Sequence, residues 1–550
     1  MKKQTKHTYD DIPYLTSFDW KTHPDNLATI AKLSGMSPPS VSRCRVLELC
    51  CGNGTNIISM AHSLPDGVFV GIDQSAGAIA EGRSIVEGLC LKNVELRELN
   101  VFDFPDDIGR FDYIIINGAF SWFTTEGQDD ILRLIKNHLN ENGVASIKYT
   151  TKPGGVLPMM MRDMMMYQVR DIEDPRQKMK EARSYLSSLA DNVKSDSPFA
   201  AVYSAMLRYG ADEINKASDD VLFHGLLGAV VTPLTFAEFI EQAKTCGLGF
   251  LSEANITMMA ANVFSHEILD ALRESGKSEI DIEQHFDFQC NRSVRETLLC
   301  HQENTVSHQL SYEDMAEFFV SSAIRPVTPE VNIFASGKME FSTPDGRSVV
   351  TESTVSKAVL LCLGSCWPQS LSFDSLLLNV RKVLGVKGNG TLAQDSMVVG
   401  ELLVNYFSKG LVRLHLHHYQ FVSKVSSCPV ASPLARYMAD HHGELERAHI
   451  SEHEGMISMV NLEYYKPVSL PDILRCLLPY LDGSNDRDAL RDILSGLIDE
   501  GVVTLPASSF MVTVNNGSDQ NQLLYDSAVV VEKNLDGWLN ILAKHALLVA

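Results

Sequence analysis

Glu48, Gly52 and Gly54 stand in the run VLELCCGNGTNI, residues 46 to 57, where an apolar segment ends in an acid and two closely spaced glycines. A strand that delivers its carboxyl end to a glycine turn and then a helix presents free backbone N–H groups to a polar ligand at close range. A dinucleotide fingerprint would need a third glycine at 57, where Ile57 stands, and a phosphate loop would need a GK[ST] that is missing here. Asp73, at the end of VFVGID, follows the glycines by roughly twenty residues, the spacing at which an acid accepts both hydroxyls of a ribose. An adenosine ligand without a pyrophosphate is therefore expected. S-adenosylmethionine, which carries a carboxylate and an ammonium instead of phosphates, meets that description.

The elements that must hold these residues are legible from the alternation between 45 and 149. Short apolar runs, RVLEL, VFVGI, VELREL, FDYIIIN and VASIKY, are separated by segments of helical period. Runs of this kind bounded by turn residues predict buried parallel strands joined by right-handed crossovers, the opening of a doubly wound α/β domain. After TTKPGG at 150 to 155 the alternation stops, and 156 to 230 reads as helical. TFAEFIEQAKTCGLGFLSEANI, 235 to 256, predicts an amphipathic helix, a turn at Gly247 and a strand, and VRETLLC, 294 to 300, one strand more, so the sheet is completed late.

The expected organisation is thus an N-terminal helical cap or substrate lid (1–44), a Rossmann-like cofactor domain (45–155), a helical insertion (156–230), a middle region that completes the sheet (231–304) and α+β interaction modules (305–550). In the last region VGELLVNYFSKGLVRLHLHHY and DALRDILSGLIDEGVVTL each run helix, glycine, strand, compatible with small winged-helix-like folds.

Composition narrows the partners. A chain of 550 residues with 45% hydrophobic and 21% charged residues is ordinary for several globular domains. The formal net charge of -22 repels nucleic acid and anionic lipid, so neither is an expected partner. The first residues, MKKQTKHTYDDIPYLTSF, lack the apolar core of a secretory signal, and no apolar run reaches the ~18 residues of a membrane span. Eleven cysteines, an odd number, suit a reducing cytoplasm.

The chain resembles the class I S-adenosylmethionine-dependent methyltransferases, whose first motif, acid-x-G-x-G-x-G, is met by Glu48, Cys50, Gly52 and Gly54, with a cysteine in place of the first glycine. The resemblance implies that Asp73, with Gln74 beside it, holds the ribose. It further implies that Asn100, with Val101 after it, meets the adenine, and that Asn117 and Gly118 end the fourth strand beside the transferable methyl. It extends through YDDIPYLTSFDWKTHPDNLATIAKLSG, the run from CRVLELCCGNG to FDYIIINGAFSW, RDMMMYQ, the 235 to 256 segment and SCPVASPLARYMA. These are similar to methyltransferases with a middle regulatory domain, among them bacterial protein lysine methyltransferases acting on a rickettsial outer-membrane protein. Methylation of lysine in a protein or peptide substrate is what this implies, and the resemblance alone suggests a homodimer. A small-molecule methyltransferase and a silent module that keeps the cofactor fold, given Cys50 and Asn100, are the rival readings, since fold does not choose the acceptor.

Methyl transfer from a sulfonium is an in-line displacement that needs no metal, so the protein must align, desolvate and supply a neutral amine. A free lysine, with pKa ~10.4, must first lose a proton. Tyr14, Trp20, Asn117, Ser121, Trp122 and Tyr149 are the expected lining of the amine site, with lid or core packing as the alternative for each aromatic. His23 in THPD is read as a helix cap, with Pro24 at the first helical position. The methionines of MMMRDMMMY, 159 to 167, suit either an adaptable wall or a helix core. HISEH at 449 to 453, HLHHY at 415 to 419 and SGKS at 275 to 278 only mimic metal and phosphate motifs, and no metal is expected.

Overall fold

Apolar runs buried on both faces pair in parallel when helices cover the two sides. A computed structural model describes Ile12, Tyr14 and residues 16–193, 197–228, 230–307, 310–419, 421–422, 424–441, 456–459, 468–503 and 527–549. The chain divides into two compact units, one built from residues up to Ser311 and one from Tyr312 onward, the latter joined by Ser17–Trp20 and Gly88–Cys90.

In the first unit seven strands form one sheet: β1 (Arg45–Leu49), β2 (Val68–Asp73), β3 (Val94–Glu98), β4 (Phe111–Asn117), β5 (Leu139–Thr150), β6 (Leu248–Glu253) and β7 (Val294–His301). Their order is β3-β2-β1-β4-β5-β7-β6. The first five are parallel, and β7 enters antiparallel between β5 and β6. Register decides what emerges at the sheet edge. Leu49 lies beside Ile72 and Ile116, and Asp73 beside Glu98, so the carboxyl ends of β1 to β4 come out side by side.

One face of the sheet buries Leu47, Ile114, Ile116 and Ile147 against helices Thr125–His138 and Phe236–Thr245, which contribute Ile131, Ile135, Phe239 and Ile240. The helical stretch after β5 consists of Val156–Gln168, Pro175–Asn192 and Pro198–Lys216, closed by a π-helical turn, Val221–Leu226. Met161, Met165, Met179, Leu186, Leu207, Ile214 and Leu222 make its core, so two of the six methionines of MMMRDMMMY are fully inside it. Ile12, from the segment before β1, joins the same core.

Helix Glu279–Cys290 is fastened to β6 and β7 by charge. The guanidinium of Arg295, with no exposed surface, donates to Asp287 at 2.8 Å, Glu253 at 2.7 Å and Glu283 at 3.0 Å. Its face lies over the Phe236 ring, 3.9 Å from the centroid. SGKS turns out to be the start of this helix, with Ser278 and Asp281 capping one another's backbone N–H groups.

The second unit holds the two helix-glycine stretches. Leu392–Ser408 ends at Gly410 and leads to strand Arg413–His415, while Arg487–Asp499 ends at Gly501. Residues 504 and 505 of the second stretch lie outside the described residues, as does HISEH. Helices Pro433–Asp440, Arg487–Asp499 and Ser527–Lys544 share one core with Leu474, Leu477, Leu490, Leu494, Leu535 and Leu539.

Candidate active site

The loop after β1 turns on three left-handed residues, Cys50 (φ 56°), Gly52 (φ 57°) and Gly54 (φ 76°), and Gly54 begins helix Thr55–Ser63. Asp73 is tied to that loop. Its Oδ2 accepts the Gly52 N–H at 2.9 Å and its Oδ1 accepts the Ser75 N–H at 2.9 Å. Burial raises its pKa above the ordinary 3.8, and the backbone N–H groups offset part of that. Glu48, 3% exposed, accepts from Asn56 Nδ2 at 2.8 Å and so braces the start of the same helix. The Cys50 thiol is kept protonated, first by burial and then by the charges of Asp73 and Glu48.

Asn100 heads the turn after β3. Its Oδ1 accepts the Phe102 N–H at 3.0 Å and its Nδ2 points to Gln74 Oε1 at 3.4 Å, so the two residues expected to face the nucleoside meet each other. Val101 beside it is buried. Asn117 and Gly118 (φ 92°) end β4, and nothing lies within 4 Å of where a Cβ on Gly118 would stand.

The structure brings Tyr14 and Trp122 together, rings edge to face at 5.1 Å and 87°. Ser121 is a fastener: its hydroxyl accepts the Thr150 N–H at 2.8 Å and its carbonyl the Thr232 N–H at 2.7 Å. Tyr149 is 1% exposed, stacked on Phe239 at 4.1 Å with its hydroxyl 3.3 Å from Thr297, so its place is in the core beneath the sheet. Trp20 opens the short turn Trp20–Thr22 and is grouped with the second unit. His23 caps helix Pro24–Leu33 through Nδ1, which accepts the Asp25 N–H, and its Nε2 lies 2.9 Å from Ser63 Oγ. In HLHHY, His415 is paired with Ser321 and His418 with Ser370.

Four contributors were not picked out by the sequence reading. Thr16 donates its hydroxyl to Asn53, and its methyl fills the space a Cβ on Gly52 would take. Gly82, in helix Ala76–Gly88, allows that helix to meet the loop: a Cβ there would stand 2.1 Å from the Asn53 carbonyl oxygen. A lone glycine inside a helical pattern was the available signal, because it costs ~1 kcal/mol against alanine unless packing demands it. His224 approaches Tyr14, the charge of Asp220 is felt there, and no motif marks either. The His224 ring is 6.0 Å from that of Tyr14, its Nε2 donates to the Ile12 carbonyl at 2.6 Å, and burial lowers its pKa.

Two carboxylates flanking a glycine loop suit an ammonium and ribose hydroxyls better than a phosphate. Family models agree with that chemistry. A methyltransferase domain matches residues 40–196, a predicted methyltransferase regulatory domain 218–301, and a PKMT C-terminal winged helix domain 428–547. An uncharacterized protein of Rickettsia prowazekii (strain Madrid E), RP028, is 33% identical over 244 residues, 44% of this chain and 96% of that one. The chain belongs to the S-adenosylmethionine-dependent methyltransferases. A second protein of that organism, RP789, also uncharacterized, is similar to this methyltransferase over 506 residues at 29% identity, covering 90% of this chain and 87% of its own. Among solved structures, PKMT2 from Rickettsia typhi, also solved in complex with AdoHcy, superposes with a TM-score of 0.80 at 26% identity, covering 98% of this methyltransferase and 100% of PKMT2.

Proposed function

We infer that this methyltransferase transfers the methyl group of S-adenosylmethionine to the side-chain amine of lysine in a protein. The observation that carries the reading is the extent of the likeness to PKMT2, which runs through the cofactor sheet, the regulatory region and the winged-helix domain together. The bound group supplies an electrophilic methyl on a sulfonium. The backbone of residues 50 to 54 would hold its amino-acid part, with Cys50 in the space of the first motif glycine, and Asp73 its ribose hydroxyls. Gln74, Asn100 and Val101 would border its adenine, and Asn117 and Gly118 the end nearest the methyl.

On the acceptor side, Tyr14 and Trp122 offer aromatic surface that strips water from an incoming amine and favours a cation before its proton is lost. Tyr149 and Ser121, fixed in the core and at the Thr150 backbone, act by holding β5 and the loop after β4 in place.

The partner is a protein with accessible lysines. An outer-membrane protein taken before export is the substrate we propose, and the cytoplasm the compartment, which fits eleven cysteines that are all free. Among the described residues no helix is long and apolar enough to cross a membrane. Two copies per particle is the assembly we propose, to be read by light scattering. Incubation of the purified chain with methyl-labelled cofactor and candidate proteins, followed by mass spectrometry, tests the acceptor. Label on lysine is expected, and label confined to a small metabolite would overturn the assignment.

A further inference from the structure

Asn53, in the loop after β1, is 6% exposed, and its Oδ1 accepts three donors: the Thr55 N–H at 3.1 Å, the Thr55 hydroxyl at 2.8 Å and the hydroxyl of Thr16. Its Nδ2 donates to Glu81 Oε1 at 3.1 Å. Without Thr16 the Asn53 side chain would still be held by Thr55 and Glu81, so the bond from Thr16 does more for the segment it comes from than for the loop it reaches. The Thr16 methyl adds to the fastening by filling the space a Cβ on Gly52 would take.

Earlier in the chain the same segment is tied to a different element. The Ile12 carbonyl, which has no proton to give, accepts from His224 Nε2 at 2.6 Å, and the Ile12 side chain enters the core of the helical insertion. His224 stands in the turn Val221–Leu226, within the regulatory region, and burial lowers its pKa, so it donates as a neutral ring. Tyr14 lies midway between Ile12 and Thr16, at most ~7 Å of chain from either. Its ring meets Trp122 edge to face at 5.1 Å and His224 at 6.0 Å.

A short segment fastened on both sides leaves the side chain between them few positions, and a ring held that way needs no ordering when a substrate arrives. We propose that Thr16 and His224 are positioning residues for methyl transfer, holding Tyr14 against Trp122 from the cofactor loop on one side and the regulatory region on the other. The proposal rests on the reading that Tyr14 and Trp122 receive the acceptor lysine, and adds to it what places them. Thr16 is anchored on Asn53, in the loop that would carry the amino-acid part of S-adenosylmethionine, so a ligand that orders this loop also orders Tyr14. Cofactor and protein substrate then bind with positive coupling, each raising the affinity of the other by the same factor.

The test is Thr16→Val, which keeps the methyl over Gly52 and removes the donor, assayed on a lysine-bearing protein that the wild type methylates. Calorimetry with and without S-adenosylhomocysteine should show that this product tightens wild-type binding of the protein about fivefold or more. In Thr16→Val the enhancement should fall below about twofold, with KM for the protein raised by a similar factor. Affinity for S-adenosylhomocysteine alone should be little changed, because Thr55 and Glu81 still hold Asn53. Thr16→Ser, which keeps the donor, should recover most of the loss. At the other anchor His224→Gln supplies an N–H near the place of Nε2 and should keep the coupling, while His224→Leu should lose it. An enhancement undiminished in Thr16→Val, or absent from the wild type, would overturn the proposal while leaving lysine methylation standing. A wild type that labels no lysine would instead overturn the functional reading beneath it. Should His224→Leu melt early, the two Thr16 variants decide the matter.

Discussion

Asp73 does two things at once, and they pull its protonation in opposite directions. Its carboxylate pins the Gly52 and Ser75 N–H groups, which favours the ionised form, yet burial raises its pKa above 3.8. Accepting ribose hydroxyls requires the ionised form. If Asp73 holds the ribose, cofactor affinity should be present at neutral pH and lost as pH falls toward the raised pKa, at a higher pH than an ordinary aspartate would give. Calorimetry across that range should show the loss in the wild type and a flat, weaker profile in Asp73→Asn. Asp73→Ala should weaken binding by about 1 to 3 kcal/mol at neutral pH. Cys50 is a second site where one residue decides a balance. A non-glycine residue at φ 56° bears a left-handed backbone cost of ~1–2 kcal/mol. Cys50→Gly relieves that cost and opens the space beside the ligand, so affinity should rise a few-fold with melting temperature held or raised; weaker binding would show that the thiol contributes contacts. Gly52 and Gly54 were legible because a tight turn after a strand dictates a residue type, and both sit at left-handed φ. His224 was not, since it reaches Tyr14 from more than two hundred residues away and nothing in its local sequence marks it. Tyr149 was open to two readings, lining of the amine site or core packing, because it stands at a strand end, and its ring stacks on Phe239.

At the scale of elements, two contacts hold the cofactor loop and the late sheet edge in place. Helix Ala76–Gly88 touches the loop only because Gly82 lacks a side chain. Gly82→Ala gains up to ~1 kcal/mol of helix propensity but must push the Asn53 carbonyl aside. The expected outcome is weaker S-adenosylmethionine binding with little loss of stability, seen by calorimetry beside thermal melting; unaltered affinity would mean the loop yields freely. Arg295→Met strands the carboxylates of Glu253, Glu283 and Asp287, and burial has already raised the pKa of the latter two. Breaking such a buried cluster costs roughly 3–5 kcal/mol, which denaturant unfolding at neutral pH would detect. The five parallel strands were readable because strands covered on both faces are continuous apolar runs. The reversal at β7 was not, because VRETLLC reads the same in either direction and only the connection through 254 to 293 decides how it enters.

For the whole molecule, the charge of -22 sets a field that acts before any contact forms. A lysine-rich protein substrate is drawn to it, and screening shortens its reach from ~10 Å at 0.1 M salt to ~3 Å at 1 M. The rate constant kcat/KM for such a substrate should fall as salt rises, while that for an uncharged lysine peptide changes little; equal responses would remove steering from the account. The helix-glycine-strand pattern at the C-terminal end hinted at winged-helix modules, but only weakly, since a short strand after a helix has no residue that chemistry fixes. The crevice at the ends of β1 to β4 is where the cofactor would lie. A crystal structure of the chain with S-adenosylhomocysteine tests it most directly: the ribose hydroxyls should lie on the Asp73 carboxylate with the sulfur opening toward Tyr14 and Trp122. A ligand whose ribose avoids Asp73, or a crevice left empty at saturating ligand, would contradict it.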